Sequence, residues 1–275
     1  MQVKNYIPHP ALQEYIFSIS TVNFRLPVET RDVVSPYPPT PFQSLMFYCN
    51  NPISMGKPGQ GYFGLQPLSV VIGPQYSRVN IKVHDHLRAI RVDLLPGGMY
   101  RLLGTPMHEH FDDGFNARDI FGVDMRILND QLQHILDLEE GKDLVEKFLL
   151  SRVKDLKEKL PFDSAIQILF RAQGKMSMEE TAALSCLSLR QFERKCQERL
   201  GMNPKLFARI LKFSKAYRLH EALPQQSWIS IAHQAGYYDQ MHMIKDFKVF
   251  TGVNPSEIEQ ELRATSIKMQ RDIPV

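Results

Sequence analysis

The sequence predicts an α+β chain with its two kinds of structure separated along the length. A small antiparallel β-barrel or sandwich with trailing helices comes first, and an all-α domain follows. Three observations predict this. Residues 1 to about 98 hold short apolar runs punctuated by Gly, Pro and Asn, the pattern of many short strands. From Ser164 onward the apolar period is helical. Within that second half a phrase is repeated: Leu200-Gly201-Met202-Asn203-Pro204 returns 51 residues later as Thr251-Gly252-Val253-Asn254-Pro255. At the same offset Arg194 and Cys196 return as Lys245 and Phe247, and at an offset of 50 Ala182 and Cys186 return as Ala232 and Gly236.

The N-terminal elements follow in order. Pro8 to Tyr15 opens with one helical turn. Tyr15, Phe17, Ile19 and Thr21 then alternate as a half-buried strand does. Ser44–Cys49, Leu68–Ile72, Arg78–Val83 and Leu87–Leu95 are further strands. Turn-forming clusters separate them at Pro36–Pro41, Asn50–Pro52, Gly56–Gly61 and Gly73-Pro74. Pro96-Gly97-Gly98 ends the β region. Its glycines would suit a bound anion at a helix start, but a tight strand-to-helix turn accounts for them more simply. Short helices are expected at Met99–Gly104 and Asn116–Gly122, and longer amphipathic ones at Asp124–Leu136 and Glu139–Leu156. Leu128, Leu132 and Ile135 form the stripe of the first, and Leu144, Phe148 and Val153 that of the second. A charged run, Lys154 to Lys159, precedes Pro161. The domains are therefore placed at 1–159 and 160–263, with 264–275 a frayed or extended tail.

In the second domain Ala165, Ile168, Leu169 and Ala172 form a stripe that Gly174 ends. Ser177 caps the next helix, with Glu180 completing a capping box. Asn203-Pro204 and Asn254-Pro255 each place an N-cap before a proline in the first turn. Each copy of the repeat reads as a helix-turn-helix. Ala182 and Ala232 give the small residue that two crossing helices need. Gly236 gives the permissive turn residue of the second copy. Cys186 stands there in the first, where a positive φ is uncommon for a side-chain-bearing residue.

The second helix of each unit spans Ser188–Glu198 and Asp239–Phe250. Phe192 and Cys196, then Met243 and Phe247, form the buried stripes. That leaves Arg190, Glu193 and Arg194 outward in the first unit. Gln240, Met241 and Lys245 are outward in the second, with His242 and Tyr238 at the edge. Arg can grip guanine with two hydrogen bonds, Gln can do the same for adenine, Glu accepts from cytosine, and an apolar tip meets the thymine methyl. Lys195, Arg199, Lys205, Arg209, Lys212 and Lys215, with His242 and Lys248, are candidates to neutralise phosphates. The net charge of the chain is only +3. Its distribution says more: residues 190 to 218 hold nine basic side chains and two acidic ones, Glu193 and Glu198. Such a local excess is the footprint of a phosphate-binding surface.

Those residues resemble the DNA-binding domain of AraC/XylS-type bacterial transcription regulators, over about Ser164 to Leu262. The second copy carries the signature: Ile231-Ala232-x-x-x-Gly236-Tyr237-x-Asp239-Gln240, Met243, Lys245, Phe247-Lys248 and Thr251-Gly252-x-x-Pro255. The chain departs from that pattern at Lys245, where arginine is usual, at Cys196, where an aromatic is usual, and at Met241-His242. The resemblance implies seven helices. It also implies a long helix, Pro204 to about Leu223, joining the units with Phe207, Ile210, Leu211, Ser214 and Tyr217 inward. Two recognition helices so joined would enter successive major grooves about 34 Å apart. The N-terminal half, through Leu94-Leu95-Pro96-Gly97-Gly98, Tyr100, Leu103 and Gly104, is similar to the sensor-like domains that precede this unit.

The resemblance implies a cytoplasmic transcription factor, not an enzyme, with no cofactor. Its expected partners are double-stranded promoter DNA and RNA polymerase. An unidentified small-molecule effector and a homodimer stay open. No run of about 18 apolar residues is present, so no membrane span is expected, and the N-terminus lacks the apolar core of a secretory signal. Cys49, Cys186 and Cys196 are unpaired in spacing, which fits a reducing compartment. A rival reading rests on His84-Asp85-His86 and His108-Glu109-His110. Alternating ligands of this kind could hold a divalent metal in a cupin-like barrel enzyme. Neither motif has a third ligand in register, so turn or surface histidines are the simpler account.

Overall fold

Ten strands and ten helices are seen in the computed structural model, which describes residues 1–27, 32–265, 267 and 270. The strands are β1 (Gln2–Tyr6), β2 (Ile16–Arg25), β3 (Val33–Tyr37), β4 (Ser44–Tyr48), β5 (Ser54–Gly56), β6 (Gly64–Leu65), β7 (Ser69–Ile72), β8 (Val79–Val83), β9 (His86–Leu94) and β10 (Gly114–Asn116). Helices α1 (Gly98–Leu103), α2 (Ala117–Leu132) and α3 (Leu138–Arg152) complete the N-terminal half. Seven more follow: α4 (Pro161–Arg171), α5 (Met178–Leu184), α6 (Leu189–Leu200), α7 (Pro204–Ala222), α8 (Trp228–Ala235), α9 (Gln240–Thr251) and α10 (Pro255–Ala264).

The strands form two antiparallel sheets, in the orders β1-β2-β9-β4-β7-β10 and β3-β8-β5-β6. They stay separate, so of the expected barrel or sandwich it is the sandwich that forms. The larger sheet is covered on both faces, and its strands divide their side chains by the two-residue period. Leu45, Phe47, Ile90 and Val92 pack with Met125, Leu128 and Leu132 of α2 and with Val145 and Leu149 of α3. Tyr48, Leu87 and Ala89 turn to the other sheet, where Tyr37, Ile81 and Val83 meet them. Strand β3 carries Pro36, which the sequence reads as punctuation. It is an edge strand, where a missing N–H costs no ladder bond.

The two helices expected at 116–122 and 124–136 are one element, α2, kinked at Gly122 with φ 59° and ψ −130°. Helix α7 runs 19 residues. Phe207, Ile210, Leu211, Ser214 and Tyr217 are buried as expected, but so are Phe213, Arg218, His220 and Glu221. The sequence shows α7 only as a connector. In the fold its second face lies under the N-terminal half, near Tyr37, Arg91 and Asp93.

The two halves pack directly on each other. Phe17 and Phe42 stack at 5.0 Å, and both meet Phe170 of α4 edge-on. Gln43 Nε2 donates to the Leu200 carbonyl at 3.0 Å. The stretch expected to be a loose tail is partly tied down. Ile267 and Gln270 are fully buried. Ser35 donates its hydroxyl to the Ile267 carbonyl at 2.9 Å, and Gln270 donates to Pro38 O at 2.6 Å. Residues 266, 268–269 and 271–275 of that stretch lie outside the described residues.

Candidate nucleic-acid interface

Two helix-turn-helix units, α5–α6 and α8–α9, are built by the same local chemistry. Ser177 accepts from the Glu180 N–H at 3.1 Å, and Glu180 accepts from the Ser177 N–H at 3.0 Å. That backbone bond holds the Glu180 carboxyl below the usual carboxylate range. Ser188 and Gln191 repeat the box on α6. Ser227 caps α8, and Asp239 caps α9 by accepting from the His242 N–H at 2.8 Å. In the two turns the Leu187 N–H donates to Ala182 O at 3.1 Å, and the Tyr237 N–H to Ala232 O at 3.0 Å. Gly201 and Gly252 end α6 and α9 with the same φ of 79°.

Both departures within the repeat have a structural meaning. Cys186 adopts a φ of 56°, so the first turn takes the same left-handed step as Gly236 without a glycine. The repeat offset grows from 50 to 51 because Tyr238 is an extra residue before α9. It is 89% exposed.

Arg190, Glu193 and Arg194 are exposed on α6 and line an open cleft with Gln197, Asn203 and Lys205. On α9, Met241, His242, Lys245 and Lys248 are exposed and Gln240 is half-exposed. Tyr238 is exposed at the edge as expected, and Gln197 joins the α6 surface although base-reading patterns did not single it out. Position was the available signal: Gln197 lies one turn beyond Arg194 and Glu193.

The phosphate candidates divide. Lys205 is exposed, and Lys212 half-buried. Lys195 pairs with Glu198 at 2.8 Å. Lys215 donates to Gln173, and burial, followed by Lys175 and Arg218, lowers its pKa. Arg209 binds Asp246 at 2.6 Å while Tyr237 donates to the same carboxylate at 3.1 Å. Arg199 requires correction. It is 4% exposed, pairs with Asp163 at 2.5 Å, and lies 4.5 Å over the Tyr100 ring. Its fork serves the protein interior, not a surface phosphate. Gly97-Gly98 is a tight turn: Gly97 has a φ of 84° and a side chain there would meet Asp163 Oδ1 at 2.6 Å, while one at Gly98 would meet the Tyr15 carbonyl oxygen at 2.4 Å.

The histidine motifs do not converge. His84 bonds Asp32 and Ser54, His86 bonds Arg25 and Asn23, and His110 bonds Thr105. Among the described residues no three metal-ligating side chains are placed to share an ion. Cys196 is buried, and burial, then Glu193, raises its thiol pKa, so it is a core residue rather than a ready thiolate.

A second feature was missed from sequence. A cavity of about 390 Å³ lies between the two sheets. Val22, Tyr48, Ile53, Ile81, Leu87 and Ala89 give it apolar walls, with Tyr37, Arg91 and Asp93 as a polar patch and Lys57 at its exposed rim. Arg91 Nε donates to Asp93 at 2.7 Å, its Nη1 donates to the Tyr37 hydroxyl, and Ser44 donates to Asp93 at 2.6 Å. The available signal was Arg91-Val92-Asp93 inside an apolar strand, two charges on one face.

Comparison with known proteins gives the following. Residues 181–261 match the family model of a helix-turn-helix domain, and residues 4–116 match a domain of unknown function (DUF6597). A relative from Haemophilus influenzae, an uncharacterized HTH-type transcriptional regulator, is 30% identical over 132 residues. That match covers 48% of this chain and 43% of the relative. A crystal structure of an apo ToxT variant from Vibrio cholerae aligns over 89% of this chain and 97% of its own, with a TM-score of 0.47 and 14% identity. Wild-type ToxT from Vibrio cholerae bound to an unsaturated fatty acid aligns over 90% and 98%, with a TM-score of 0.48 and 11% identity.

Proposed function

We propose that this protein, whose C-terminal segment is a helix-turn-helix domain of the AraC type, is a bacterial cytoplasmic regulator that reads promoter DNA with both units. The observation that carries the reading is the repetition, in both units, of cap, turn bond and left-handed stop. It leaves Arg190, Glu193 and Arg194 on one recognition helix, and Gln240, Met241 and Lys245 on the other, open to a ligand. Arg190 and Arg194 suit guanine, Gln240 adenine, Glu193 the cytosine amine, and Met241 a thymine methyl. Lys205, Lys248 and His242 anchor phosphates, which sets register without reading sequence. RNA polymerase is the partner through which such a bound protein acts on transcription.

Footprinting across genomic fragments tests this. Discrete protected sites are expected, and diffuse coverage would defeat sequence-specific reading. On such a site Arg194→Ala should weaken binding by about 1–3 kcal/mol and relax one base position. Lys205→Ala should weaken every sequence alike and reduce the salt slope by about 1. Affinity unchanged between about 50 and 200 mM salt would remove the phosphate contribution altogether.

The cavity favours an accompanying role, uptake of a small-molecule effector, and its volume is within the range of ligand sites. Arg91 is already paired by Asp93 and Tyr37, so a second anion would have to displace Asp93 or stop at the rim beside Lys57. A ligand held wholly within these walls is therefore neutral and largely apolar. Decan-1-ol should bind at least about tenfold more tightly than decanoate, because a buried charge without a free partner is costly. The reverse order would reject this ligand class.

A further inference from the structure

Side chains of an extended segment alternate between two faces. Residues 75–78 are irregular, with a bend at Ser77, and lead into β8, yet from Gln75 to Ile81 the side chains still divide between two neighbours. Gln75, Ser77, Val79 and Ile81 line the cavity. Tyr76 and Arg78 turn the other way, onto the second helix-turn-helix unit. The Tyr76 ring meets Phe250 edge-on at 5.8 Å. The Arg78 backbone N–H donates to the Phe250 carbonyl at 3.0 Å. Its guanidinium, 6% exposed, pairs with Glu261 of α10. Phe250 lies in the last turn of α9, the recognition helix of that unit. Asp112 fixes the segment, accepting from the Tyr76 N–H at 2.9 Å, the Ser77 N–H at 2.7 Å and the Ser77 hydroxyl. Asp112 also belongs to the cavity wall.

We propose that residues 75–78 are a two-faced relay through which the occupant of the cavity resets the second recognition helix. This rests on the reading of the cavity as a ligand site and adds how that site is heard. A molecule pressing on Gln75 and Ser77 moves the same backbone that holds Phe250 and Glu261. Bonds of this one short segment join the cavity wall directly to the end of helix α9, whereas α7 reaches α9 from beneath Tyr37, Arg91 and Asp93 through ring packing of Phe213. Helix α6 faces the turn at Met107–His110 and α1, and only its C-terminal stop, Gly201, reaches Pro74 beside the relay.

Hydrogen exchange on the full chain tests the relay with and without ligand. Without ligand, Asp112→Ala and Arg78→Ala should each speed exchange at residues 246–262 by at least about fivefold, the lower end of ordinary coupling, and leave 189–200 unchanged. Ser77→Ala, which removes one hydroxyl bond, should act in the same direction and serves if Asp112→Ala loosens the whole sandwich. Normal exchange at 246–262 in both variants, with residues 75–78 loosened, would overturn the relay. With decan-1-ol, strands β8 and β9 should be protected and exchange at 246–262 should change. In Arg78→Ala the strand protection should persist while the response at 246–262 falls by at least about fivefold. Protected strands with no change at 246–262 in the unsubstituted chain would overturn the relay and leave the cavity reading standing. If decan-1-ol protects no strand, the cavity reading fails, and the ligand-free variants still decide the relay.

Discussion

Gly201→Ala is expected to destabilise the chain by about 2–5 kcal/mol, whereas Gly252→Ala, at the matching position of the second unit, costs about 1–2 kcal/mol. Both glycines stop a recognition helix at φ 79°, so both variants carry the same left-handed penalty. Only their surroundings differ. A Cβ at Gly201 would stand 2.5 Å from Pro74 Cγ and 2.7 Å from the Met107 carbonyl oxygen, while nothing lies within 4 Å of one at Gly252. The difference isolates the cost of wedging the N-terminal half away from α6. It is read from urea midpoints of the two variants at constant m. Equal losses would mean that the first unit does not seat against Pro74 and Met107 in solution.

The repeat explains why so much of the second half was legible. Ser177, Asn203 and Asn254 are caps because short polar side chains beside orphan N–H groups have few other uses, and such chemistry is local. The turn at Cys186 was legible only through its partner Gly236, since a cysteine is an uncommon residue for a left-handed step. What the sequence hid was coverage from a distance. Arg199, Arg218, His220 and Glu221 sit on helices whose pattern leaves them on a polar face, and only contacts distant in sequence make that face interior: Asp163 and Tyr100 for Arg199, and the N-terminal half near Arg218. The short strands β5 and β6, of three and two residues, were illegible because too few side chains exist to show a period. With β3 read as punctuation as well, β8 was the one strand of the second sheet that the pattern showed, so a sandwich was expected but the cavity between its sheets was not. Arg91 and Asp93 could have betrayed that space, since two charges in an apolar strand must find each other or water.

Removing Arg199 should cost about 3–5 kcal/mol, because it leaves the Asp163 carboxylate buried without its cation. Asp163 is fully buried, and besides Arg199 it accepts from the Leu160 N–H at 2.7 Å. One carboxylate thus starts α4 and grips α6. Asp163→Ala is expected to cost a similar amount, and the double variant less than the sum, since neither then leaves a charge stranded. Tyr100 adds to the same site from the N-terminal half, with its ring over the Arg199 guanidinium and its hydroxyl donating to Glu198 at 2.9 Å. This separates two explanations for any loss of DNA binding in Arg199→Ala. A surface phosphate contact would leave the urea midpoint unchanged and reduce the salt slope by about 1. An interior ion pair lowers the midpoint, speeds exchange in α4 and α6, and leaves the slope of the remaining folded protein as it was. The second pattern is expected. Finding the first would return Arg199 to the DNA surface and require α6 to rotate away from Asp163 when the protein binds.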